Sequence, residues 1–191
     1  MTEPRIAPGG FRDTGPIIWA FSRLAGAVTG TKPPHVFTTL GRHRGLFWGW
    51  LHFAGELMPG GTLPRHESEL LILRVAHLRG CAYEFEHHRR LGRRAGLTSA
   101  QIQALTGDLT EGSWSPRELT MLQTADVLIA DKDLDDAQWE RLSAELSQKA
   151  ALELVMLVGH YDMLATTLIT LRVQPDKASR LSRLSRLRKS R

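Results

Sequence analysis

From Thr62 to Leu171 the apolar residues repeat at helical spacing, and nowhere does the chain show a sustained two-residue alternation bounded by hairpin turns. That periodicity points away from sheet architectures and predicts an all-α fold of about seven to eight helices. Thr14-Gly15-Pro16 can start a short helix over Ile17 to Val28, which Lys32-Pro33-Pro34 breaks. From Val36 to Leu57 apolar residues recur at Phe37, Leu40, Leu46, Phe47, Trp50, Leu51 and Ala54, with Gly41 and Gly45 as expected interruptions. Large aromatic side chains in such a pattern read first as core. Thr62-Leu63-Pro64 opens a helix that ends near Gly80, and a second runs from Cys81 to Ala95 and stops at Gly96. Thr98 to Gln101 and Ser115 to Glu118 read as capping boxes, while Asp135 caps a further helix. Ser147 caps the last, from Gln148 to about Leu171; it is apolar on most sides and is expected at the centre.

Charge and cysteine content narrow the function classes. The net charge of +5 invites a nucleic-acid reading, but seven of the 25 basic residues fall between Lys177 and Arg191, where no acidic residue occurs. The other 18 stand against 20 Asp and Glu, so the preceding chain is close to neutral and the basicity belongs to a tail. A solvated C-terminus is expected there, with at most a weak contact to a polyanion. Cys81 is the single cysteine, which excludes an intramolecular disulfide framework and a multi-thiolate zinc site. No uninterrupted apolar run approaches the roughly 18 residues needed to cross a bilayer. Residues Met1 to Gly10 carry Pro, Gly and charge in place of a signal core, so a cytoplasmic protein is expected.

The polar residues capable of chemistry lie in one stretch: Glu69, then Cys81, Tyr83, Glu84, Glu86, His87 and His88. At helical rotation Cys81, Glu84 and His88 fall within about 60° of one another on one face. Glu69 joins them if the turn at Leu78 to Cys81 folds two helices together. A carboxylate orienting an imidazole that exchanges a proton with substrate or thiol is a workable proton relay. The plainer reading is an exposed i,i+4 pair between Glu84 and His88. Glu84-x-x-His87 has di-iron spacing, but no other Glu is followed by His three residues later, so no metal is expected. Glu84 also stands where a Cys-x-x-Cys motif would place its second thiol. A helix N-terminus favours the Cys81 thiolate and Glu84 opposes it, leaving the direction of its pKa open.

Glu69 to Ala76, Gly80-Cys81-Ala82-Tyr83-Glu84-Phe85-Glu86-His87-His88 and Ala95-Gly96-Leu97-Thr98 resemble the signature of the carboxymuconolactone decarboxylase family, within the alkylhydroperoxidase D-like superfamily. The resemblance extends upstream through Leu40-Gly41-Arg42-His43 and Gly61-Thr62-Leu63-Pro64, and downstream from Val158 to Val173. It implies an all-helical bundle in symmetric homo-oligomers, trimers or hexamers, with residues 1–34 as an extension, 35–173 as the domain and 174–191 as the tail. In the peroxidase branch a relay of glutamate, two cysteines and histidine falls on Glu69, Cys81, Glu84 and His88, with Glu84 replacing the second cysteine. The decarboxylase branch, which lacks the cysteine pair, matches Tyr83-Glu84 and His88.

The resemblance implies a cofactor-independent enzyme acting on a small carboxylated lactone or ring acid. His88 is the expected acid/base, Glu84 and Glu69 tune it, Tyr83 donates a hydrogen bond, and Arg74 or His87 holds the substrate carboxylate. The alternatives are a peroxidase-like reaction through Cys81 with an external thiol, and a non-catalytic oligomeric binding module. His160 and Tyr161 read as packing residues.

Overall fold

Ten α-helices and one 3-10 turn account for most of the described residues, 3–176, of the computed structural model, and no strand occurs among them. The basic stretch from Lys177 onward lies outside the described residues. The helices are α1 Phe11–Thr14, α2 Pro16–Thr29, α3 His35–Leu40, α4 Arg44–Leu57 and α5 Arg65–Leu78. They continue with α6 Ala82–Arg94, α7 Ser99–Ala104, α8 Pro116–Asp131, α9 Asp136–Glu145 and α10 Gln148–Leu171, with the 3-10 turn at Leu109–Glu111. The all-α expectation holds. The extra elements are short: α1 has four residues, and Gly41 separates α3 from α4. At Gly41 a Cβ would lie 2.8 Å from Ile18 Cγ2, so the close approach requires the missing side chain. Gly45, the other expected interruption, lies inside α4.

Two compact units divide the described residues: 3–52 with 168–176, and 53–167. In the first, Phe21, Phe37, Phe47, Trp48 and Trp50 form an aromatic cluster, mostly edge-to-face, with Phe47 fully buried. This is the core role expected of them. Backbone ties in this unit run from Arg5 N–H to the Leu171 carbonyl and from His35 N–H to Asp176.

In the second unit α5 and α6 form a helical hairpin whose turn is set by hydrogen bonding. Gly80 adopts φ +63°, its N–H donates to the His77 carbonyl, and the Cys81 N–H donates to the Ala76 carbonyl. Those two bonds make a Schellman stop, which favours glycine at the left-handed position. The same pattern ends α6 at Gly96, with Leu97 N–H donating to the Gly92 carbonyl. Leu70 and Leu73 of α5 pack with Leu97, Ile102, Leu105, Leu109 and Leu122, so residues after α6 complete the core around the hairpin. The expected caps at Thr98, Ser115 and Asp135 are all made by side chains.

By length and composition α10 is apolar enough to cross a membrane, which corrects the expectation drawn from uninterrupted runs. Leu154, Leu157, Val158, Tyr161, Leu164 and Ala165 are buried along it, so it serves as a core helix.

Candidate active site

The α5–α6 hairpin brings an imidazole between two carboxylates. His88 Nδ1 lies 2.8 Å from Glu69 Oε2, and its Nε2 lies 3.3 Å from Glu84 Oε2. Glu69 is fully buried, and Glu84 and His88 are 3% and 4% exposed. Glu84 reaches His88 along one helix, whereas Glu69 arrives from the other, so only the folded hairpin assembles all three. Burial alone would push His88 down. Glu69, by charge and hydrogen bond, and then Glu84 outweigh that and raise its pKa to about 9. His88 is therefore an imidazolium at neutral pH, with both ring nitrogens donating.

Arg65, one turn before Glu69 on α5, completes the charge balance. Its guanidinium sits 2.7 Å from Glu69 Oε1 while its side chain remains 40% exposed. Two carboxylates thus meet two cations, which a buried cluster needs to persist. The sequence reading did not single out Arg65, although its i,i+4 spacing to Glu69 carried the signal.

Tyr161 was also missed as part of the site. It projects from α10 and is 8% exposed, with its ring edge-to-face against His88 at a centroid distance of 5.2 Å. Burial, followed by the charges of Glu84 and Glu69, raises its phenol well above the ordinary range. No local pattern marks such a residue, because its partner lies far away in sequence. His160 beside it is held neutral, pushed down to about 4 by burial and the His88 charge.

The remaining expected site residues separate. Cys81 occupies the N-cap position of α6 without a side-chain capping hydrogen bond, near the backbone N–H groups of Glu84 and Tyr83. Burial pushes its thiol up to about 11; the backbone N–H groups oppose this and the Glu84 carboxylate adds to it. Cys81 also lines a cleft of about 320 Å³ with Ala76, His77, Gly80, Ala82, Phe85, Glu86 and Thr106. Glu69, Glu84 and His88 are not on that wall. Tyr83 is buried with its ring parallel to that of His87 at 6.4 Å.

Both residues expected to hold a substrate carboxylate are corrected. Arg74 is buried and bidentate to Asp126 at 2.7 Å, and its third nitrogen donates to the Leu105 and Gly107 carbonyls. Its guanidinium is committed to the fold. His87 is pushed down to about 3 by burial and then by the His88, Arg90 and Arg65 cations, so it carries no charge to offer an anion. No group of His, Cys, Asp and Glu suited to a metal ion occurs among the described residues.

Comparisons with known proteins show what this chain is similar to. The model of the carboxymuconolactone decarboxylase family matches residues 44–127, which contain both helices of the hairpin. No curated protein matches the sequence. Among solved structures, an alkylhydroperoxidase AhpD core protein from Ralstonia eutropha JMP134, described as peroxidase-related, is 17% identical with a TM-score of 0.81, covering 92% of this chain and 93% of its own. A peroxidase-related protein from Silicibacter sp. TM1040 is 15% identical with a TM-score of 0.79, covering 92% and 95%. The debrominase Bmp8, solved as a cysteine-to-alanine variant with 2,3,4-tribromopyrrole, is 16% identical with a TM-score of 0.75 over 94% of both chains. At these identities the structural likenesses speak for the fold. The matched residues 44–127 make the hairpin similar to the carboxymuconolactone decarboxylase family, and the solved structures show that the chain has an AhpD-like all-helical fold.

Proposed function

We propose that the protein is a decarboxylase-like enzyme that delivers a proton to carbon in a small carboxylated lactone or ring acid. The observation that carries this reading is the buried His88 imidazolium bridging Glu69 and Glu84. In the reaction the bond from ring carbon to carboxylate breaks and carbon dioxide leaves. The electron pair passes into the conjugated carbonyl, and a proton is then added to the ring carbon. The Nε2–H of His88 supplies that proton through Glu84, while Glu69 and Arg65 hold the other end of the imidazole. Solvent returns one proton to the relay per turnover. The half-exposed Arg65 keeps guanidinium donors free of Glu69, which suits a substrate carboxylate better than either Arg74 or His87. Carbon dioxide release from carboxylated γ-lactones and ring acids tests the proposal. Glu84→Gln is expected to lower kcat by about 100-fold or more. Equal rates in wild type and Glu84→Gln would remove the relay from the mechanism.

A peroxidase-like reaction through Cys81 and an external thiol is the second reading, supported by the place of Cys81 on the cleft wall. Its raised pKa works against it, because the thiolate is the nucleophile. After stoichiometric hydroperoxide at pH 7, intact-mass measurement is expected to find Cys81 unmodified. Sulfenate or a mixed disulfide there would install the second reading in place of the first.

A further inference from the structure

We propose that Tyr161 is a positioning residue for His88, its ring fixing the imidazole in the plane from which both nitrogens reach carboxylates. The inference rests on the proposed relay and assigns a role to a residue of α10. Glu69 and Glu84 grip the imidazole at its two nitrogens. Two such bonds hold the ring only while its χ1 and χ2 angles stay put, and rotation about Cα–Cβ or Cβ–Cγ would roll it away from both carboxylates. An aromatic ring set at 89° to the imidazole, with centroids 5.2 Å apart, removes that freedom. Edge-to-face packing of this kind has a preferred angle, so it resists rolling in a way that an aliphatic side chain of similar bulk does not.

The groups facing His88 come from three helices. Glu69 and Arg65 belong to α5, Glu84 and His87 to α6, and His160 and Tyr161 to α10. His87 and His160 stay neutral, and the Tyr161 phenol stays protonated. Tyr161 thus adds shape and excludes water without adding charge. A wall of this character preserves the carboxylate contacts that keep the imidazole protonated.

The test compares Tyr161→Phe, which keeps the ring, with Tyr161→Leu, which removes the aromatic wall. The His88 imidazole is titrated by NMR with labelled histidine, and kcat and KM are followed against pH. Tyr161→Phe is expected to titrate like wild type and to keep kcat within about twofold. Tyr161→Leu is expected to lower the His88 pKa by about one unit and kcat by about tenfold, with KM unchanged. A folded Tyr161→Leu protein whose His88 titrates as in wild type overturns the proposal. So does a Tyr161→Phe protein as impaired as Tyr161→Leu, because the hydroxyl would then be the active part. If Tyr161→Leu does not fold, Tyr161→Met provides the same comparison, and a wild-type His88 titration there is equally fatal. The titration needs no substrate. A shifted His88 with no carbon dioxide release by wild type would leave the positioning role standing and remove the decarboxylase reading.

Discussion

Replacing His88 by alanine is expected to cost about 3–5 kcal/mol of unfolding free energy, measured by urea denaturation at pH 6.5. An exposed Glu/His pair one helical turn apart contributes only about 0.3–0.5 kcal/mol. The difference lies in burial: Glu69 is 0% and Glu84 3% exposed, so neither can recover its hydration when the imidazolium is removed. Arg65 remains on Glu69, but Glu84 keeps no cation among the contacts of this cluster. Adding Glu84→Gln to His88→Ala is expected to restore much of the loss, because it removes the uncompensated charge. A loss below about 1 kcal/mol in the single variant would mean that the cluster behaves as a surface pair.

Stability is also expected to peak near pH 6.5 and fall on both sides, for reasons traceable to three histidines. The folded pKa of His88 is about 9, raised from 6.5, so its contribution is complete below about pH 6.5 and disappears as pH rises through 9. A shift of that size is worth on the order of 3 kcal/mol. His87 and His160 act in the opposite direction, with folded pKa values of about 3 and about 4. The unfolded chain takes up their protons below about pH 6.5 while the folded protein does not, so stability falls as pH drops towards those values. Urea midpoints at pH 5, 6.5, 8 and 9.5 would trace the profile. The alkaline fall is expected to flatten in His88→Gln, and a wild-type midpoint unchanged between pH 6.5 and 9.5 would refute the assignment of charge to His88.

The α5–α6 hairpin shows how far local chemistry reaches. Its helices, its stop at Gly80, and the shared face of Glu84 and His88 follow from hydrogen-bond geometry and helical rotation within a few residues. Thr98, Ser115 and Asp135 were legible as caps for the same reason: a cap is a contact three residues long. Gly45 misled, because a glycine lowers helix stability without forbidding helix, and it falls in the first turn of α4.

What lay beyond the sequence was decided by burial and by partners distant in the chain. Cys81 faced opposing local influences, and desolvation settled them only once the hairpin closed. Arg74 looked available for an anion until Asp126, 52 residues away, took its guanidinium. Tyr161 looked like packing until α10 laid it against His88, 73 residues earlier. The amino-acid order alone determined where helices start, stop and turn, because those signals act over one or two turns. Tertiary structure alone decided which charges lost water and met each other, because solvation and long-range electrostatics depend on what surrounds a group in space.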